Sequence, residues 1–158
     1  MNTIPDLPQT GDMMVPPEWT DYNGHMNEAF YLVAAAEATD RFLDMIGAGP
    51  AYVAAGRSFF TVETHIRYLA EVESGTRLIV TTQLLGAEGK RLHLFHRILR
   101  HQELAATVET LLIHTDLTSR RACPPNPAIA EALAPFAAHS ALHAEGAGRF
   151  VGQRSHSK

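Results

Sequence analysis

With 158 residues, 46% of them apolar and 19% charged, the chain has the composition of one soluble folded domain and not that of a disordered segment. A net charge of −4 excludes nucleic acid as the default partner, since phosphate backbones call for a basic field. Cys123 is the only cysteine, so no internal disulfide is expected, and no run approaches the roughly 20 apolar residues of a membrane helix.

The opening segment Met1–Gly11 lacks the basic start and apolar run of a secretory signal, and a cytoplasmic location is expected. Pro16-Pro17 keeps the following backbone extended, so a strand near Met13–Val15 should be short or at a sheet edge. A loop spans Trp19–Gly24. From Asn27 to Ile46 the spacing predicts a long helix whose apolar residues, Phe30, Val33, Phe42 and Ile46 among them, spread widely around the wheel. Such a helix should be largely enclosed. Gly47 suits its C-terminal cap, and Gly49-Pro50 prevents continuation.

Beyond Gly56 the composition turns to strands. Ser58–Leu69 alternates, with Phe60, Val62, Thr64, Ile66 and Tyr68 expected on one face and Glu63, His65 and Arg67 on the other, where they would form a polar network. Thr76–Leu85 and Arg91–Arg100 read as a hairpin around Gly86–Gly89, and His101–Glu103 turns the chain into Leu104–Asp116. Three prolines at 124, 125 and 127 end the strand region; Ala128–His139 reads as a short helix and the glycine-rich tail after Glu145 as loop. One long helix followed by antiparallel strands predicts an α+β layer with a curved sheet over the helix.

The residues with most chemistry are Asp21, Gly24, His25 and Asn27, set directly ahead of the long helix. Helix N-terminal N–H groups lack intrahelical partners and face developing negative charge, so a thioester carbonyl placed there would be polarised while Asp21 attacks it or activates water. Each residue also has a plainer reading. Asp21 can cap or turn, Gly24 can simply make the turn, His25 can hold the loop, and Asn27 can cap the helix. Trp19 and Tyr22 flank the loop, either as packing aromatics or, with Phe59 and Phe60, as a cage for a quaternary ammonium. Nine histidines invite a metal reading, but His93 and His96 lie three apart in a strand and face opposite sides. His139 and His143 have ligand spacing without an adjoining glutamate, so no metal site is expected.

The segment Asp21-x-x-Gly24-His25-Met26-Asn27-x-Ala29-x-Tyr31-Leu32, the later Val62–Tyr68, Gly75 and the hairpin together resemble the hotdog-fold acyl-CoA thioesterases of the 4-hydroxybenzoyl-CoA thioesterase-like group. Within it, Trp19–Tyr31 and Glu145-Gly146-Ala147-Gly148-Arg149 look most similar to the betainyl-CoA thioesterases of carnitine breakdown. The resemblance implies a hotdog fold, a single domain over residues 1–158 (core about 12–118, C-terminal extension 119–158), and Asp21 as nucleophile or general base. It further implies a homodimer or dimer of dimers with sites at the subunit interface. No cofactor is implied beyond the CoA of the substrate, whose phosphates Lys90, Arg91, Arg120 and Arg121 are placed to meet. A hotdog hydratase or dehydratase, and a non-catalytic acyl-CoA binding module, are the alternatives.

Overall fold

The structure, a computed structural model, describes residues 6–153; the first five residues of the opening segment and the last five of the tail lie outside it. Helix α1 (Glu28–Met45) begins where the Asn27 side-chain oxygen accepts the Ala29 N–H at 3.0 Å, which satisfies one of the orphan donors of the first turn. It ends at Gly47, φ +80°, with the Ala48 N–H returning to the Leu43 carbonyl (2.8 Å) and the Gly47 N–H to that of Asp44 (3.1 Å). That bond pair is a Schellman cap. A short helix α2 (Pro50–Ala54) leads to the strands.

Strands β1 (Gln9–Met14), β2 (Arg57–Tyr68), β3 (Arg77–Gly86), β4 (Arg91–Arg100) and β5 (Glu103–Asp116) form one antiparallel sheet in the order β1-β3-β4-β5-β2. A two-residue strand β6 (Arg121–Ala122), too short to read from sequence, adds to the end of β5. The β4–β5 turn places both His101 (φ 46°) and Gln102 (φ 68°) in the left-handed region, as a two-residue hairpin turn requires.

The sheet curls over one side of α1 only. Tyr31, Ala34, Ala35, Ala38 and Phe42 are buried against it, whereas Leu32, Val33 and Met45 stand exposed on the opposite side. The enclosure expected from the wide apolar distribution is therefore half realised in this chain. Strand β2 departs from simple alternation as well. Its register with β5 shifts between Thr61 and Glu63, so Val62 is an extra, bulged residue. Phe59, opposite His114, lies on the helix side before the bulge; Thr64 and Ile66, opposite Thr110 and Val108, take that side after it. Phe60 and Ile66 thus fall on opposite faces, contrary to the alternation read through them.

The core has two lobes. One gathers Val15, Tyr31, Val72, Leu78 and Ile98; the other gathers Phe42, Ile46, Leu92, Leu94 and Leu112. Helix α3 (Pro127–Leu133) completes the second lobe with Ile129 and Leu133. After a 3-10 stretch (Ala134–Ala141) the chain crosses to the outer face of the sheet. There Gln83 Nε2 donates to the carbonyls of His139 (2.8 Å) and Leu142 (3.0 Å), Arg67 Nη1 pairs with Glu145 Oε2 (2.9 Å), and the Gly148 N–H donates to Glu109 Oε2 (2.8 Å). Gly146 has φ +91° and passes directly over the end of the Arg67 side chain; the positive φ favours glycine there. Arg67 is thus engaged by this C-terminal strap, and among the described residues no hydrogen bond joins it to Glu63 or His65, the partners expected from the strand face.

His96 links the sheet to the helix through a buried network. Thr39 Oγ1 donates to the Ala35 carbonyl, so His96 Nε2–H donates to Thr39 (2.9 Å) and Nδ1 accepts from Thr82 Oγ1 (2.8 Å), which in turn meets Thr10 Oγ1 at 2.7 Å. Burial pushes the imidazole down from 6.5 to about 4. The folded chain then takes up this proton at lower pH than the unfolded chain. The contribution of the neutral imidazole is complete above pH 6.5 and is lost as pH falls through 6.5 towards 4. At about 1.4 kcal/mol per pH unit, up to about 3 kcal/mol is at stake. Denaturant unfolding at pH 7 and pH 5 should show the loss, and a His96→Gln variant should show a shallower dependence between those values. An equal slope in both proteins would contradict the assignment.

Candidate active site

The loop ahead of α1 is a miniature hairpin. The Asp21 N–H donates to the His25 carbonyl (3.0 Å), the Asn27 N–H to that of Trp19 (2.8 Å), and the Gly24 N–H to that of Asp21 (3.0 Å). Gly24 has φ +80° with nothing within 4 Å of a notional Cβ, so the backbone conformation, not crowding, calls for glycine. The Asp21 carboxylate accepts the Asn23 N–H on Oδ1 at 2.8 Å, an Asx turn; its Oδ2 takes no partner among the described residues. The carboxylate is therefore fixed by one oxygen and free at the other.

The donors expected to act on a substrate are largely engaged. The Gly24, Met26 and Asn27 N–H groups serve the Asp21, Val72 and Trp19 carbonyls, and those of Ala29 and Phe30 serve Asn27. Among the described residues the Glu28 N–H, at the first helical position, takes no partner. Asn27 acts as the helix cap, and His25 Nε2 stands 3.3 Å from Glu71 Oε2.

Beside His25 opens a cavity of about 420 Å³ whose wall includes Glu28, Tyr31, Tyr68, Ala70 and Glu71. The two tyrosine rings meet edge to face, 5.1 Å between centroids and 85° between planes. Burial raises both phenol pKa values. Tyr68, Glu28 and Glu71, which line this cavity, are not among the residues the sequence singles out, and Tyr31 enters there only as part of a motif. Asn27 and Tyr31 lie four apart on the helix, but nothing in the sequence ties them to residues at the far end of β2.

The other expected residues lie apart from this cavity. Trp19 stacks on Phe30 (5.0 Å, 14°), and Tyr22 is 98% exposed. Phe59 is buried against the His114 ring, and half-exposed Phe60 borders a cavity of about 330 Å³ with Arg120. Arg91 stands between an apolar cavity of about 480 Å³ and the outer face; Lys90 and Arg121 are exposed. Phe60 and Tyr68 are eight residues apart on β2, about 26 Å at roughly 3.3 Å per residue. The residues expected to form one site thus fall in separate places in this chain. No group of three or more His, Cys, Asp or Glu side chains among the described residues is placed to hold a metal ion, and no helix among them is long and apolar enough to cross a membrane.

A family model described as the thioesterase-like superfamily matches residues 15–133. A betainyl-CoA thioesterase of Pseudomonas aeruginosa is 42% identical over 149 residues, covering 90% of this chain and 93% of that protein. An L-carnitine dehydrogenase/betainyl-CoA thioesterase of Ruegeria pomeroyi is 51% identical over 139 residues, 87% of this chain, yet the match spans only 28% of that longer protein. Among solved structures, a Staphylococcus aureus protein in complex with CoA shares the fold at a TM-score of 0.86 and 24% identity, over 94% of this chain and 97% of that one. A Pseudomonas putida KT2440 protein provisionally assigned as a thioesterase superposes at 0.80 with 33% identity, over 95% and 99%.

Proposed function

The chain belongs to the thioesterase-like superfamily, and from that premise we propose that it hydrolyses an acyl-CoA thioester to a free acid and CoA, with Asp21 as the reacting carboxylate. The supporting observation is the state of that carboxylate: one oxygen tied to the Asn23 N–H and the other free, in the loop that leads into α1 and whose His25 lines a cavity. The free oxygen attacks the thioester carbon or takes a proton from the water that does so. The Glu28 N–H, reinforced by the helix dipole, faces the charge that develops on the carbonyl oxygen. The acyl group we assign is betainyl, from the relatives named for that activity. The work is done by a single domain, and no cofactor is needed beyond the CoA of the substrate.

Two protomers make the site. Strand β2 pairs with β5 alone, and residues 60–64 along it are exposed. A free edge of 12 residues calls for cover. Antiparallel pairing of two such edges about a twofold axis sets the Tyr68 end of one against the Arg57 end of the other. Phe60 of the partner subunit and Arg120 of the partner subunit then approach the Asp21 loop, and the two separated halves become one site. Release of free CoA thiol from betainyl-CoA is the test: turnover supports the reading, and silence from a folded dimer with every acyl-CoA offered rejects it.

A further inference from the structure

Resting on that thioesterase reading, we propose that a quaternary ammonium on the acyl group is recognised by the corner formed by Tyr31 and Tyr68, with the carboxylates of Glu28 and Glu71 around it. The two rings stand perpendicular with centroids 5.1 Å apart, and both residues line one space of about 420 Å³, so that aromatic side chains meet there at a corner. Both phenols are tied back to main chain: Tyr31 Oη donates to the Ala70 carbonyl (3.4 Å) and Tyr68 Oη to that of Glu28 (3.2 Å). Their rings are thereby held in place, and their hydroxyls are used up on structure. Tyr31, 3% exposed, backs the corner from within the core; Tyr68, at 49%, supplies the accessible ring.

The charge around the cavity has the sign this occupant needs. Two carboxylates border it, against one imidazole, His25, which stands by Glu71. Arg100, whose charge tends to lower the Tyr31 phenol pKa against the larger effect of burial, does not line the cavity. A trimethylammonium group carries its charge behind methyl groups and offers no N–H. It therefore suits ring faces and diffuse negative potential better than a direct ion pair. Trp19 and Tyr22, the pair that sequence proximity suggests, do not line this cavity; Trp19's ring is occupied by Phe30 and Tyr22 projects into solvent.

The test compares betainyl-CoA with 3,3-dimethylbutanoyl-CoA, in which carbon replaces the charged nitrogen at equal shape. In the wild-type protein kcat/KM should favour the cation by about fivefold or more, given roughly 2- to 30-fold per well-placed ring. Tyr68→Leu and, separately, the surface change Glu71→Gln should each lower that ratio severalfold, mainly through KM for the cation. The ratio is the readout, so any general loss of activity cancels. A wild-type ratio near one, or a ratio that neither variant moves, would overturn the cage while thiol release upheld the thioesterase. Absence of thiol release from both substrates would instead remove the reading on which the cage rests.

Discussion

Asp21→Asn should lose about 10²- to 10⁴-fold in kcat for thioester hydrolysis while keeping the fold and the assembly. Asparagine has nearly the same shape, and its side-chain oxygen can still accept the Asn23 N–H that holds the Asx turn at 2.8 Å. The main-chain bonds of the loop, Asp21 N–H to His25 and Gly24 N–H to Asp21, do not involve the side chain. The melting temperature should therefore move little, since surface changes of this kind usually stay within about 0.5 kcal/mol. What asparagine cannot do is attack the thioester carbon as an anion or accept a proton from water. Near-normal turnover by the variant would remove Asp21 from the mechanism and leave the plain turn-forming role as its explanation.

Placing aspartate at both Val62 and Thr64 should give a monomer with activity reduced by about 100-fold or more, although every residue of the Asp21 loop is intact. These positions lie in the exposed middle of β2, where a twofold axis would bring like charges together. Val62 is the bulged residue and 58% exposed, so the change costs the single protomer little packing. The size of the loss follows from misplacement: a site whose halves are no longer held together loses orientation, and even an ångström of displacement can cost about 100-fold. Light scattering and thiol release on the same samples check both parts. A wild-type protein that is monomeric and fully active, or a charged variant that stays active as a monomer, would show that one protomer suffices.

Much of the architecture was legible in the sequence. Asn27 and Gly47 delimit α1 because capping is local, and the Gly86–Gly89 turn with its flanking strands follows from local turn chemistry. The Val62 bulge was hidden, since the β-branched and aromatic pattern runs through it unbroken and only the pairing with β5 reveals the shift. The exposed side of α1 was hidden for a related reason: an apolar residue in sequence reports that it prefers cover, not that the fold supplies it. The strap was least legible. Its glycines read as loop, and its anchors Arg67 and Glu109 lie 78 and 39 residues away from their partners Glu145 and Gly148.

The site divides in the same way. Asp21, Gly24, His25 and Asn27 were legible as candidates because they are nearly contiguous and sit at a helix start. Tyr68 and Glu71 come to the cavity beside His25 only because β2 ends near the start of α1, a tertiary fact with no local signature. Proximity in sequence pointed to Trp19 and Tyr22 instead. In the fold those two rings turn to Phe30 and to solvent.

The most direct test of the central claim is the crystal structure of the Asp21→Asn variant with betainyl-CoA bound. We expect the thioester carbon over the substituted side chain, its carbonyl oxygen within hydrogen-bonding distance of the Glu28 N–H, and the nucleotide reaching across to Arg120 of the partner subunit. Betainyl-CoA seated away from this loop, for example in the apolar cavity beside Phe59 and Leu133, would contradict it.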